Sequence, residues 1–154
     1  DLANWISGAW PPTETEPMGG PDGWLARVAR ELRGLPAERF EAVMGIGPVP
    51  ATERVLAQAG ITIDDVGLVE LNEPFAVQVL TWCDGVGVAP DDPRLNPYGG
   101  AIACGHPLAA TGVRLMAQLA YELERRPDVR FGLTALCIGM GMGAALLWEN
   151  VRHG

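Results

Sequence analysis

Positive charge is scarce in this chain. Of its 154 residues, 11 are Lys or Arg and 19 are Asp or Glu, which gives a formal net charge of −8. A nucleic-acid surface needs a basic face, so that class of partner is excluded. An anionic small molecule is not, because local backbone dipoles can hold one. Cysteine is also sparse: Cys83, Cys104 and Cys137 are odd in number and widely spaced. They do not resemble a disulfide framework and point to a reducing, cytoplasmic setting. No apolar run approaches the ~18 residues of a membrane span, so no membrane partner is expected. The first residues lack the basic-then-apolar order of a signal peptide. The chain opens on Asp1 and not Met, as a fragment or a processed product does.

Several site patterns are missing too. Cys104-Gly105-His106 has no second Cys/His pair beside it, so no metal is expected. Gly139-Met140-Gly141-Met142-Gly143 is neither a P-loop nor a dinucleotide fingerprint. There is no Gly-x-Ser-x-Gly elbow. The pairs Asp64-Asp65 and Asp91-Asp92 read as solvated loop and cap residues.

What is present reads as a globular domain large enough to bury a core, with 48% apolar and 19% charged residues. Residues 1–22 are rich in Pro, Gly, Thr and Glu and read as an irregular lead-in, with Trp5 and Trp10 packing on something. Residues 23–34 have helical spacing, closed by Gly34 and Pro36. Residues 43–50 form a Gly/Pro turn. Residues 51–59 form a helix capped by Thr52 and ended by Gly60. The run 66–71 reads as a buried strand. Residues 74–83 form a helix with Pro74 in its first turn, and 84–98 a loop. Residues 107–126 carry a broad apolar stripe and a basic end, the strongest helix pattern in the chain, with Pro107 at its first position. Residues 129–137 and 144–149 read as strands joined by a glycine turn. The order is helix, strand, helix, short strand, helix, strand, strand. That alternation predicts an α/β layered domain with a mixed sheet.

Three polar points fall at the ends of these elements. Asn72-Glu73 follows the 66–71 strand, His106 precedes the long helix, and Cys137 ends the next strand. Ligands of open α/β sheets bind outside the carboxyl ends of strands, so together they form a candidate site. Each also has a plain alternative: a cap for Asn72, a loop residue for His106, an inert small hydrophobe for Cys137 and a simple hairpin for the glycine turn.

The residues around those points resemble a known family. Asn72-Glu73-Pro74-Phe75-Ala76, Asn96-Pro-Tyr-Gly-Gly-Ala-Ile-Ala-Cys-Gly-His106-Pro107 and Cys137-Ile-Gly-Met-Gly-Met-Gly143 are similar, in order and spacing, to three motifs in the C-terminal half of thiolases. Met44-Gly-Ile-Gly-Pro-Val-Pro-Ala51 resembles a fourth. The resemblance covers roughly residues 40–150. It implies a thiolase C-terminal domain over 40–154, with 1–39 a lead-in bearing a short helix and no family likeness. It implies a mixed, five-stranded type of sheet flanked by helices, its first strand missing or replaced and one edge exposed.

The activity implied is acyl transfer between CoA thioesters, with coenzyme A as substrate and no cofactor. His106 would activate a nucleophilic cysteine and, with a water held by Asn72, line an oxyanion hole. Cys137 would move a proton at the substrate α-carbon, and the Gly139 N–H would serve a second oxyanion hole. Phe75 and Met140 would line the substrate. Met140 and Pro74 depart from the family pattern. The family's acyl-accepting cysteine belongs to an N-terminal half, and neither Cys83 nor Cys104 stands in its context. Implied partners are therefore acyl-CoA or CoA, such an N-terminal half, or a second copy. The alternative is a non-catalytic acyl-CoA-binding or interaction module.

Overall fold

A computed structural model describes residues 45–139 and 141–154. The expected 23–34 helix, the lead-in with Trp5 and Trp10, Met44 and Met140 lie outside the described residues. The first helix, α1 (Pro48–Ala59), begins on a proline, whose fixed φ suits a helix start. It ends on Gly60, in the left-handed conformation at φ 69°, with the Ile61 N–H returning to Leu56 O at 3.1 Å. The expected start at residue 51 is therefore three residues late. Thr52 is not a cap: it is buried inside α1 and accepts a hydrogen bond from Trp82 Nε1 at 3.0 Å.

A 3-10 turn (Ile63–Asp65) leads into β1 (Val66–Leu71). Asp65 caps that turn as expected, accepting from Thr62 N at 2.8 Å. Those hydrogen bonds hold its carboxyl below the usual range. Next comes α2 (Ala76–Val86), which leaves Pro74 outside the helix. A short α3 (Ala101–Cys104), not anticipated from the sequence, precedes α4 (Leu108–Arg125). Pro107 stands at the cap of α4 and not inside it. The strands β2 (Phe131–Gly139) and β3 (Met142–Glu149) form the expected hairpin.

Among the described residues the sheet has three strands, in the order β1-β2-β3, parallel then antiparallel. The mixed α/β character is as expected; the five-stranded form is not seen in this part of the chain. The anticipated short strand is a single parallel bridge between Val69 and Leu95. This bridge and the bonds of Asn96 cover the outer edge of β1. Asp92 is likewise no solvated loop residue. It pairs with Arg94 at 2.8 Å, and Arg94 Nη1 also donates to Val66 O at 2.9 Å, which brings the loop alongside β1.

Both faces of β1 are buried, as a strand between helix layers requires. On one face Val66, Val69 and Leu71 pack with Val49 and Leu56 of α1 and Trp82 and Cys83 of α2. On the other, Leu68 packs with Leu119 and Leu123 of α4. A register shift between Val66 and Leu68 turns Val66 to the same side as Val69. Gly132 lets α4 approach the sheet: a Cβ there would come within 2.9 Å of Leu119 Cδ1. The result is a site-bearing end of the sheet braced from both sides.

Candidate active site

Asn72 directly follows β1, and its backbone N–H donates to Ala135 O of β2 at 2.9 Å. The parallel ladder thus runs one residue past the end of β1 and aligns it with β2. Asn72 is 1% exposed and is not a cap; its Nδ2 lies 3.4 Å from His106 Nε2. On the other side of the imidazole, Nδ1 lies 2.7 Å from Thr111 Oγ1. The Thr111 hydroxyl donates to Pro107 O at 3.4 Å, as a helical threonine does toward the preceding turn. Its oxygen then accepts from Nδ1–H, and Nε2 keeps the lone pair that faces Asn72. His106 is therefore pinned from both sides, not a loop residue free to turn.

A second pair stands at the same end of the sheet on β2. Cys137 pairs across the hairpin with Gly143, and the Gly139 N–H donates to Cys137 Sγ at 3.4 Å. A register shift lies between Cys137 and Gly139, and Gly139 has a φ of 91°. The left-handed conformation is one that glycine adopts without steric cost, at the point where the strand turns. The hairpin is held by α1: a Cβ on Gly143 would collide with the Gly47 backbone. The turn preceding α1 and the hairpin thus require glycine at their meeting point.

Phe75 caps α2 and is 55% exposed beside the Asn72 end of β1. Cys104 ends α3, exposed, with its Sγ 3.2 Å from Gly100 O. Cys83 is buried in α2, and burial pushes its thiol up. Among the described residues no group of three or more His, Cys, Asp or Glu side chains converges as a metal site would. No described helix is long and apolar enough to cross a membrane.

Two neighbours of the site were given no role of their own by the sequence but bond to the elements around it. Glu73 accepts hydrogen bonds from Asn96 Nδ2 and from the Ile102 N–H. Glu70, 1% exposed on β1, accepts from Gln118 Nε2 of α4 at 2.9 Å. The one signal for Glu70 was a charge inside an otherwise apolar strand.

A strand-end asparagine, a doubly held histidine and a cysteine followed by a glycine N–H are the spatial form of the three motifs. The family model of the thiolase C-terminal domain matches residues 28–150. The chain belongs to the thiolase family. That match begins upstream of residue 40, where the sequence alone placed the boundary.

Relatives agree. A 3-oxoadipyl-CoA/3-oxo-5,6-dehydrosuberyl-CoA thiolase of Escherichia coli (strain K12) is 50% identical over 137 residues, 89% of this chain and 34% of its own length. A 3-ketoacyl-CoA thiolase of Pseudoalteromonas translucida is 49% identical over 112 residues, 72% of this chain and 28% of its own. An acetyl-CoA acetyltransferase of Syntrophomonas wolfei is 46% identical over 108 residues, 70% of this chain and 27% of its own. The thiolase domain described here thus spans about a third of these relatives.

Proposed function

We propose that this thiolase domain supplies half of an acyltransferase site for acyl-CoA thioesters. The reaction is Claisen condensation of two acyl-CoA molecules, or its reverse, thiolysis of a 3-oxoacyl-CoA by CoA. The observation that carries this reading is the Asn72–His106 pair, oriented through Thr111, at the sheet end that also bears Cys137. The acyl-accepting cysteine comes from an N-terminal thiolase half.

In this reading His106 Nε2 takes the proton of that cysteine, whose sulfur forms a bond to the acyl carbon as the bond to CoA sulfur breaks, and the Cys137 thiol gives its proton to the departing CoA sulfur. Cys137, as thiolate, then takes a proton from the α-carbon of the second acyl-CoA. The enolate oxygen is held by the protonated Nε2 and by a water on Asn72. Asn72 Oδ1 supports this role, being a buried acceptor with no protein partner. The carbanion attacks the acyl-enzyme carbonyl. The oxyanion so formed receives the Gly139 N–H, for which substrate oxygen and Cys137 sulfur compete. Collapse of that adduct breaks the bond to the cysteine sulfur, which takes its proton back from His106 Nε2. Phe75 and Met140 line the acyl chain.

Acetoacetyl-CoA thiolysis by the chain assembled with a thiolase N-terminal half tests this. His106→Ala and Cys137→Ala should each lower kcat at least about a hundredfold, the scale of a lost acid-base group. Unchanged rates in both would remove them from the mechanism.

A second reading, an acyl-CoA-binding or interaction module without turnover, draws on the two remaining cysteines. Cys83 is buried and Cys104 is turned to a backbone carbonyl, so neither offers an acyl acceptor within the chain. CoA binding without thiolysis by the assembled pair would favour it.

A further inference from the structure

Glu73 neighbours Asn72 in sequence, yet its carboxylate bonds to the segment after α2 that leads to His106. We propose that Glu73 is the positioning residue that sets the His106–Asn72 pair, by anchoring the segment that carries His106; this rests on the acyltransferase reading of His106.

Three observations converge on the carboxylate. Its Oε2 accepts the Ile102 N–H at 2.9 Å, one of the open donors in the first turn of α3. Gly100, at the cap of α3, has no side chain to supply that acceptor, and Glu73 occupies the space: a Cβ on Gly100 would collide with the Glu73 carboxyl group. Its Oε1 accepts from Asn96 Nδ2. Asn96 has a φ of 45°, and its side chain pairs with both the N–H and the C=O of Leu71, at 2.8 and 3.0 Å.

These bonds close a ring. From Leu71 at the end of β1 the path runs to Asn96, Glu73 and Ile102. It then follows α3 through Gly105 to His106 and returns to Asn72. Asn72 holds the imidazole and Glu73 holds the backbone that delivers it. Both carboxylate oxygens face donors, so the site calls for an acceptor-only side chain. Glutamine has the same shape but must turn an N–H toward either Asn96 Nδ2 or the Ile102 N–H.

The test uses the whole 154-residue chain with 15N-labelled histidine and backbone. In the wild type the Ile102 amide, on a residue 64% exposed, should exchange at least about tenfold slower than an open amide. Glu73→Gln should abolish that protection and move the His106 Nε2 signal. An unprotected Ile102 amide in the wild type overturns the proposal whether or not the variant folds. So does a Glu73→Gln chain whose His106 signal stays in place.

In the chain assembled with a thiolase N-terminal half, Glu73→Gln should lower kcat at least about tenfold while KM for CoA stays within about twofold. A merely structural role would reduce the folded fraction and leave kcat per folded site unchanged. If His106→Ala retains full turnover, the acyltransferase reading fails while the exchange and imidazole signals still judge the Glu73 anchor.

Discussion

Glu70 shows how a single buried charge near the site shapes the behaviour of the domain. Burial is the main cause that pushes its carboxyl up to about 7 from an ordinary value of 4.5. Arg114 and the Gln118 bond pull the other way, and the charges of Glu73 and Glu122 add to the rise. Between those two values the folded chain holds a proton that the unfolded chain has released. Stability therefore falls as pH rises from 4.5 to 7, and above that window the ionised carboxylate carries the full desolvation cost. Glu70→Gln keeps the shape and removes the charge. Urea unfolding should find it more stable than wild type by on the order of 2 kcal/mol at pH 8 and nearly equal at pH 4.5. A constant difference at both pH values would refute the assignment.

Between elements, junctions are made by small groups with little freedom. Asn150 follows β3, and its Nδ2 lies 2.7 Å from Leu123 O, 3.1 Å from Arg126 O and 2.9 Å from Val129 O. It thereby serves one open carbonyl in the last turn of α4, that of Leu123, and those of Arg126 at the cap and Val129 beyond it. Asn150→Ala would leave buried acceptors unpaired, and thermal unfolding should show a loss of about 2 kcal/mol. The meeting of Gly47 and Gly143 is steric. Gly143→Ala places a methyl against the Gly47 backbone and should cost about 3 kcal/mol or shift the hairpin. If the hairpin shifts, Cys137 shifts with it, so turnover in the assembled enzyme should fall even where the fold survives. A Gly143→Ala variant with wild-type stability and turnover would show that the contact is slack.

At the scale of the molecule, one end of the described sheet brings Asn72, His106 and Cys137 together, and helices pack on both faces of β1. Cys83 is buried and Cys104 Sγ lies against Gly100 O, and the chain spans 34% of the length of its Escherichia coli relative. The 154-residue chain by itself should therefore show no thiolysis of acetoacetyl-CoA above background. Turnover should appear when an N-terminal thiolase half is added, in proportion to the complex formed. A chain that turned over alone would place an acyl acceptor inside it and overturn the division proposed here.

Much of this was legible in the sequence, because local chemistry carried it. Short apolar runs marked β1 and the hairpin, and a broad apolar stripe marked α4; glycines and prolines marked most of the breaks; motif order pointed to Asn72, His106 and Cys137. Boundaries strayed where a proline could stand before a helix as easily as within it, as at Pro74 and Pro107. The short α3 escaped notice because four residues carry no periodicity. Thr52 read as a cap because its partner, Trp82, lies 30 residues away. By itself the sequence determined which residue types meet at the strand ends, since period and turn chemistry are local properties. Only the tertiary structure decided which atoms face which. The lone pair of His106 is set by Thr111, the loop before it is bonded by Glu73, and the sulfur of Cys137 receives the Gly139 N–H. Those are contacts across space, fixed by the close approach of elements that no spacing along the chain reveals.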